Sequence, residues 1–149
     1  MPTPDRIRNV VLVGHNGSGK TSLAEAMLFR AEVTNRLGSV DRRDTVMDHD
    51  PEEREFGQSI SLAVASFDWN GHRINLIDTP GYADFRGEAM LGLAAADVAV
   101  FVIDGVAGVQ SQDVVLWRLA ASMGMPRLLF INKLDRERSS FDRTLAQVR

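Results

Sequence analysis

The sequence predicts an α/β fold in which a mostly parallel sheet lies between two layers of helices and carries one antiparallel hairpin. Short apolar runs, which are typical of strands buried on both faces, alternate along the chain with segments whose apolar residues recur at helical spacing. This alternation favours parallel strands joined by right-handed helical crossovers. The pair Asn70-Gly71 lies between two strand-like runs, which is a strong signal for a hairpin.

The elements follow one another in a regular order. The apolar run at residues 10–13 predicts a buried strand that ends at a glycine, and apolar residues at helical spacing predict a helix over about 20–31. Further strands are predicted over residues 61–69, 73–78, 98–103 and 128–131, and further helices over 110–122 and 139–149.

Residues 32–59 show no clear period and are predicted to form a long, mobile loop. Seven acidic residues and three arginines lie between Asp41 and Glu55. Long segments without secondary structure in a compact domain are usually functional or disordered.

Composition excludes several classes of function. The 149 residues, 44% apolar and 25% charged, are typical of one soluble domain. The absence of cysteine excludes disulfides, thiolate metal sites and cysteine nucleophiles. A net charge of −3 provides no general basic surface for direct DNA binding. Because no apolar run could span a bilayer and the first residues lack an apolar signal segment, we expect a cytoplasmic, monomeric protein without membrane contact.

Residues 14–21, GHNGSGKT, match the phosphate-binding pattern G-x-x-x-x-G-K-[ST] between a predicted strand and a predicted helix. We name residues 14–21 the P-loop. In a loop of this kind, backbone amides surround a β-phosphate, and the N-terminus of the following helix adds the positive end of its dipole. Lys20 is expected to bridge the β- and γ-phosphates, and the Thr21 hydroxyl to bind Mg²⁺. A glycine-rich turn with a lysine by chance is the alternative. The predicted nucleotide contacts of this region are His15, Asn16, Gly17, Ser18, Gly19, Lys20, Thr21 and Ser22.

A second candidate site is Asp78-Thr79-Pro80-Gly81, at the end of the predicted strand over residues 73–78. The acid can orient a metal-bound water, and the Gly81 N–H can reach a γ-phosphate. Alone, a D-x-x-G pattern is more often a simple turn. Its position next to a P-loop favours a nucleotide contact.

A third candidate site is Asn132-Lys133-Leu134-Asp135, directly after the apolar run at 128–131. The Asp135 carboxylate can accept hydrogen bonds from N1–H and the exocyclic amine of guanine, an arrangement that adenine cannot offer. Asn132 is expected to contact the other base edge or to brace the P-loop, and the aliphatic stem of Lys133 to lie along the ring. Taken alone, the tetrapeptide could be a solvated strand end. The three motifs together predict a site for GTP and GDP rather than ATP.

With these motifs the sequence resembles the translational GTPases, and elongation factor G-like proteins in particular. The resemblance spans nearly all 149 residues and rests on GHNGSGKTSL, MDHDPEERE, HRINLIDTPGYADF, GVQSQ and FINKLDRER. It implies a Ras-like G domain with the P-loop NTPase fold, which binds GTP with Mg²⁺ and hydrolyses it on the ribosome. In the family such a domain continues with a last strand, a guanine-contacting loop and a closing helix. None of these precedes Arg149, so we expect residues 1–149 to be a G domain truncated at its C-terminal side, without the later translation-factor domains.

Three positions depart from the family pattern and indicate a divergent paralogue. The family usually has Arg-Gly-Ile-Thr-Ile in this region, and its threonine binds Mg²⁺. When the glycine and the last isoleucine of that pattern are matched to Gly57 and Ile60, Ser59 takes the position of the threonine. Serine keeps the hydroxyl, although a strand-edge serine is the alternative. Tyr82 replaces the histidine that positions the attacking water, and tyrosine is neutral at physiological pH. Gly17 replaces an aspartate associated with a monovalent cation.

The resemblance assigns catalytic roles to Lys20, Gly81 and Tyr82, and Mg²⁺ binding to Thr21, Ser59 and, through a water, Asp78. Ser59 is expected to order residues 32–60 only when γ-phosphate and Mg²⁺ are both bound. Two other functions stay open. One is a nucleotide-gated ribosome-binding module with weak hydrolysis, which Tyr82 and Gly17 favour. The other is a ribosomal protection protein of the tetracycline-resistance type, a group that usually keeps the histidine.

Overall fold

The computed structural model describes residues 2–47 and 59–148. Within these ranges, strands and helices follow one another in the predicted order, with one additional helix that the sequence analysis did not predict. In chain order the elements are β1 (Ile7–Val13), α1 (Lys20–Arg30), β2 (Ala63–Trp69), β3 (His72–Asp78), α2 (Arg86–Ala95), β4 (Val98–Asp104), α3 (Ser111–Ser122), β5 (Arg127–Asn132) and α4 (Phe141–Val148), with short 3₁₀ turns at Pro4–Arg6 and Ala83–Phe85.

The strands form one mixed sheet in the order β2-β3-β1-β4-β5. The strand β1 pairs in parallel with β3 and β4, and β4 pairs in parallel with β5. Only β2 runs antiparallel, and it pairs with β3 through a turn in which Asn70 and Gly71 both have positive φ, 48° and 77°. Left-handed backbone at both turn positions is what an Asn-Gly hairpin provides. The predicted α/β fold with one antiparallel hairpin is therefore confirmed.

Helices cover both faces of the sheet because side chains along β1 alternate in direction. Leu12 belongs to a cluster with Leu28 of α1, whereas Val11 belongs to a cluster on the opposite face with Leu93 of α2 and Leu116 of α3. The predicted three-layer arrangement is thus present. None of the helices in the described ranges is both long and apolar enough to cross a membrane.

The sequence analysis missed the helix α2. Its buried residues are Ala89, Gly92 and Leu93, so the face that packs on the sheet is mostly made of small residues and carries a weak apolar repeat. A Cβ at Gly92 would lie 2.9 Å from Thr79 Cγ2 and 3.0 Å from Val11 Cγ2. The helix therefore approaches β1 too closely for a larger residue at this position. Because small residues take the place of large apolar ones, the helix lacks the periodic apolar pattern by which helices are recognised in a sequence.

Residues 38–47 are part of the segment that was predicted to form a loop, and they contain no helix or strand but contact α1. Met47 is buried in the cluster around α1, and Glu25 of α1 is fully buried beneath this segment. Glu25 Oε1 accepts hydrogen bonds from the backbone N–H groups of Val46 and Met47, at 2.6 and 3.0 Å. A buried carboxylate with two amide donors replaces the water contacts that a free loop would have. Residues 48–58, which include Gly57, lie outside the described residues.

Candidate nucleotide-binding site

The three motifs meet at one edge of the sheet because the strands that precede them are parallel. The P-loop follows β1, Asp78 ends β3, and Asn132 ends β5. In open α/β sheets, ligands bind outside the carboxyl ends of the strands. A cavity of about 280 Å³ lies at this edge. Its lining residues are Asn16, Gly17, Gly19, Lys20, Thr21, Ser22, Val40, Asp41, Ser59, Thr79, Gly81, Lys133 and Arg136.

Lys20 lies at the start of α1 and is almost fully buried. Its ammonium donates to the carbonyl oxygens of Gly14 and His15, both at 3.1 Å, so the side chain curls back over the P-loop. Burial lowers the pKa of Lys20, while the negative charges of Asp78 and Asp113 act in the opposite direction. A buried cation held by the backbone of a preformed loop is well suited to bind phosphate oxygens.

Three oxygen-bearing side chains from different parts of the chain meet beside Lys20. Thr21 Oγ1 donates a hydrogen bond to Asp78 Oδ2 at 2.7 Å, and Ser59 Oγ lies 3.2 Å from Thr21 Oγ1. Two hydroxyls and one carboxylate are hard oxygen donors, which Mg²⁺ prefers. Within the described ranges, no three His, Cys, Asp or Glu side chains group together as metal ligands. The donor set therefore fits a Mg²⁺ that keeps several waters and binds substrate phosphates.

The turn after β3 is held close against the P-loop. Thr79 Oγ1 donates to the Leu12 carbonyl oxygen at 2.7 Å, which joins this turn to β1. A Cβ on Gly81 would lie 2.6 Å from both Asn16 Cα and Lys20 Nζ. Only glycine permits this approach of the backbone to the P-loop. Tyr82 follows directly and is half-buried.

Tyr82 lies beside the phosphate cavity in a neighbouring cleft. This cleft is formed by the P-loop, the turn after β3 and the start of α3. Its lining residues are His15, Asn16, Gly17, Gly81, Tyr82, Ala83, Asp104, Ala107, Gln110, Ser111, Gln112 and Lys133. The residues shared by the two cavities are Asn16, Gly17, Gly81 and Lys133, so Tyr82 stands next to the phosphate end of the predicted nucleotide site.

The loop after β5 is fixed to the P-loop by Asn132. Its Nδ2 donates to the Ser18 carbonyl oxygen at 2.9 Å, which is the bracing contact that the sequence offered as one of two roles. Gly19 lies directly below this amide with φ +96°, so a side chain at that position would collide with Asn132. Asp135 is exposed at the surface of the same loop.

Lys133 is held by an ion pair with Asp104, at 2.7 Å between Nζ and Oδ2. Asp104 Oδ1 also accepts the backbone N–H groups of Val106 and Ala107. Burial alone would raise the pKa of Asp104, but Lys133 and these amides outweigh burial and hold that pKa below its usual value. The pair fixes Lys133 at the rim of both cavities.

Most of the predicted site residues line the phosphate cavity or the neighbouring cleft. Those outside the lining of the phosphate cavity are His15, Ser18, Asp78, Tyr82, Asn132 and Asp135. His15 contacts Asp113, Ser18 is fully buried, and Asp78 lies behind Thr21.

The cavity also contains residues that the sequence analysis missed. Val40 and Asp41 belong to the aperiodic segment, which gave no local signal. Arg136 stands one position after Asp135, and a cation next to the predicted base-contacting loop is a signal that could have been used. Thr79 lies inside the D-x-x-G motif, where only the first and last residues were assigned.

Comparisons with known proteins identify the family of the chain. The model of the family described as elongation factor Tu GTP binding domain matches residues 5–149. A mitochondrial ribosome-releasing factor 2 from Yarrowia lipolytica is 44% identical over 146 residues, covering 98% of this chain and 18% of that protein. An elongation factor G from Dehalococcoides mccartyi is 42% identical over 144 residues, covering 97% of this chain and 21% of that protein.

Solved structures show the same fold. A protein from Thermus thermophilus superposes with a TM-score of 0.91 at 39% identity, over 97% of this chain and 22% of that one. The translation elongation factor SelB of Methanococcus maripaludis, in complex with a GTP analogue, gives a TM-score of 0.69 at 22% identity, over 95% of this chain and 25% of that one, and supports the fold alone. The chain spans about a fifth of the length of the curated relatives that it matches. The chain belongs to the family of elongation factor Tu GTP-binding domains.

Proposed function

We propose that this domain binds GTP and GDP with Mg²⁺ and hydrolyses GTP within an elongation factor G-like protein that acts on the ribosome. The observation that carries the proposal is one cavity lined by Lys20, Thr21, Ser59 and Gly81, with Asn132 bracing its P-loop. Curated relatives are named elongation factor G and ribosome-releasing factor 2, which supports a ribosomal partner.

In the proposed mechanism, phosphoryl transfer depends on positioning and charge stabilisation. Lys20 and the P-loop amides hold the phosphate oxygens where negative charge develops. Thr21 and Ser59 would supply hydroxyl ligands for Mg²⁺, with Asp78 acting through a water, and the ion would supply positive charge against the phosphates. The backbone N–H of Gly81 meets the γ-phosphate, because glycine lets the turn approach the P-loop. Asp135 selects guanine by accepting from N1–H and the exocyclic amine.

A second function, nucleotide-gated ribosome binding with weak hydrolysis, is favoured by Tyr82. The cleft beside the phosphate cavity holds a phenol where the family has a histidine. Gly17 adds to this difference, because the resemblance places an aspartate associated with a monovalent cation at this position. A Cβ at Gly17 would have no atom within 4 Å, but the φ of +74° would strain a residue with a side chain.

Single-turnover GTP hydrolysis by the full-length protein, with and without ribosomes, separates the two functions. Ribosome-stimulated turnover supports the GTPase. Nucleotide-dependent ribosome binding without turnover supports the gated binding module, and absence of guanine nucleotide binding contradicts both. Cytoplasmic localisation, a monomeric state and the absence of DNA binding stay predictions.

A further inference from the structure

A buried carboxylate that has no place in the proposed mechanism lies behind the P-loop. Asp113, in the first turn of α3, is 2% exposed. Its Oδ1 accepts the backbone N–H of His15 at 2.7 Å, and its Oδ2 lies 2.9 Å from His15 Nδ1. The same Oδ2 accepts the backbone N–H of Gln110 at 2.8 Å. Asp113 thus joins the second residue of the P-loop to the N-terminus of α3.

This arrangement fixes both the backbone and the ring of His15. Because the His15 N–H is directed to Asp113, it is not available to a phosphate, and the ring occupies the neighbouring cleft rather than the phosphate cavity. The His15 carbonyl oxygen in turn accepts a hydrogen bond from Lys20 Nζ. A continuous chain of contacts therefore runs from Asp113 through His15 to the phosphate-binding lysine.

We propose that Asp113 is a positioning residue for nucleotide binding, which holds the P-loop in its phosphate-binding shape through His15. A loop that is ordered before the ligand arrives loses less conformational entropy on binding. The inference rests on the proposed guanine nucleotide site, because it assigns the phosphates to this loop. It adds a residue of α3, outside the three nucleotide motifs, that controls the strength of phosphate binding.

The test uses Asp113→Asn in the full-length protein and compares binding of GDP with binding of GMP, which lacks the β-phosphate. Affinity for GDP is measured with a fluorescent GDP analogue and affinity for GMP by competition. Replacing Oδ2 by an NH₂ group sets a donor against the Gln110 N–H and disturbs the contact with His15. We expect GDP affinity to fall by about tenfold or more, equivalent to about 1.4 kcal/mol, while GMP affinity changes less than about twofold.

Asp97→Asn is the matched control. Asp97 Oδ2 also accepts a backbone N–H, that of Asn9 at 2.7 Å, but at an exposed position just before β4, away from the site. This variant should leave both nucleotide affinities unchanged. The variant His15→Leu removes only the ring contact and keeps the backbone contact. We expect it to weaken GDP binding, and less so in a chain that already carries Asp113→Asn, because coupled contacts are not additive.

Three outcomes would overturn the inference: unchanged GDP binding in Asp113→Asn, an equal loss for GDP and GMP, or additive effects of the two substitutions. If Asp113→Asn does not fold, His15→Leu alone decides, through the ratio of GDP to GMP affinity. Failure of the wild-type protein to bind GDP would instead overturn the proposed function, so the two failures are distinguishable.

Discussion

Thr21 Oγ1 donates to Asp78 Oδ2 over 2.7 Å, which joins the start of α1 to the end of β3 across 57 residues of sequence. Ser59 Oγ lies 3.2 Å from the same hydroxyl. The fold itself therefore assembles the oxygens that the proposed Mg²⁺ site requires. A preassembled set of ligands needs little rearrangement when the ion arrives with the nucleotide.

Thr21→Ala should remove the dependence of nucleotide affinity on Mg²⁺. The substitution deletes one proposed ligand and leaves Asp78 without the hydroxyl that now donates to it. We expect GDP affinity in Mg²⁺ to fall by about tenfold or more, as for the loss of one charge-assisted hydrogen bond. The measurement is GDP affinity in Mg²⁺ and in EDTA. Thr21→Ser, which keeps the hydroxyl, is the control, and an unchanged ratio of the two affinities in Thr21→Ala would contradict the metal assignment.

Asp135→Asn should exchange guanine for xanthine specificity. The amide presents a donor where guanine also presents donors, and each buried hydrogen bond lost in this way costs about 1–3 kcal/mol. We expect GTP affinity to fall by about tenfold or more, while xanthosine triphosphate binds better relative to GTP. Because the prediction concerns base contacts, it is measured by nucleotide competition in the full-length protein. Unchanged GTP binding would rule out the guanine contact.

Two variants of Tyr82 test its role in hydrolysis. If an imidazole is needed, Tyr82→His should accelerate ribosome-stimulated single-turnover hydrolysis. If the phenol hydroxyl positions the water, Tyr82→Phe should slow it by about 10²-fold or more. Nucleotide affinity should barely change in either variant, because the residue acts on the chemical step. If the rates of the unsubstituted protein and of both variants agree within about twofold, their activation free energies differ by less than about 0.5 kcal/mol, and position 82 is not catalytic.

Glu25→Gln should release residues 46 and 47 from α1. Replacing the buried carboxylate weakens two charge-assisted hydrogen bonds, to the amides of Val46 and Met47. Hydrogen exchange at these amides should accelerate by about tenfold or more. In the unsubstituted protein their protection should be the same with GDP and with a non-hydrolysable GTP analogue. The control is Glu32→Gln, at an exposed position just after α1.

The exchange experiment also tests the expected role of Ser59, which is to order residues 32–60 in response to γ-phosphate and Mg²⁺. The hydrogen bonds of Glu25 to the amides of Val46 and Met47 lead us to expect that these two amides are protected in both nucleotide states. Nucleotide-dependent protection at residues 46 and 47 would contradict this expectation.

The elements that could be predicted are those whose signals are local. Residues 11–13 of β1 and most of β4 are buried, and both lie within unbroken apolar runs. The turn at Asn70-Gly71 requires left-handed backbone, which few residue pairs provide. The P-loop and the loop after β5 were located because each contains a recognisable motif directly after an apolar run.

The features that could not be predicted depend on contacts between distant residues. Glu25 and Met47 are separated by 22 residues, and nothing in either neighbourhood indicates that they meet. His15 and Asp113 are 98 residues apart, so His15 was assigned to the nucleotide although its backbone N–H is directed to α3. The helix α2 was missed because close packing selects glycine and alanine, which leave little periodic signal.

The hydrogen bond from Asn132 to the Ser18 carbonyl, with Gly19 directly below, has a consequence for nucleotide exchange. The loop proposed to hold the base and the loop proposed to hold the phosphates cannot separate without breaking this contact. In the proposed site, a displacement of either loop would break this hydrogen bond, so the base contacts and the phosphate contacts of GDP would be coupled during its release.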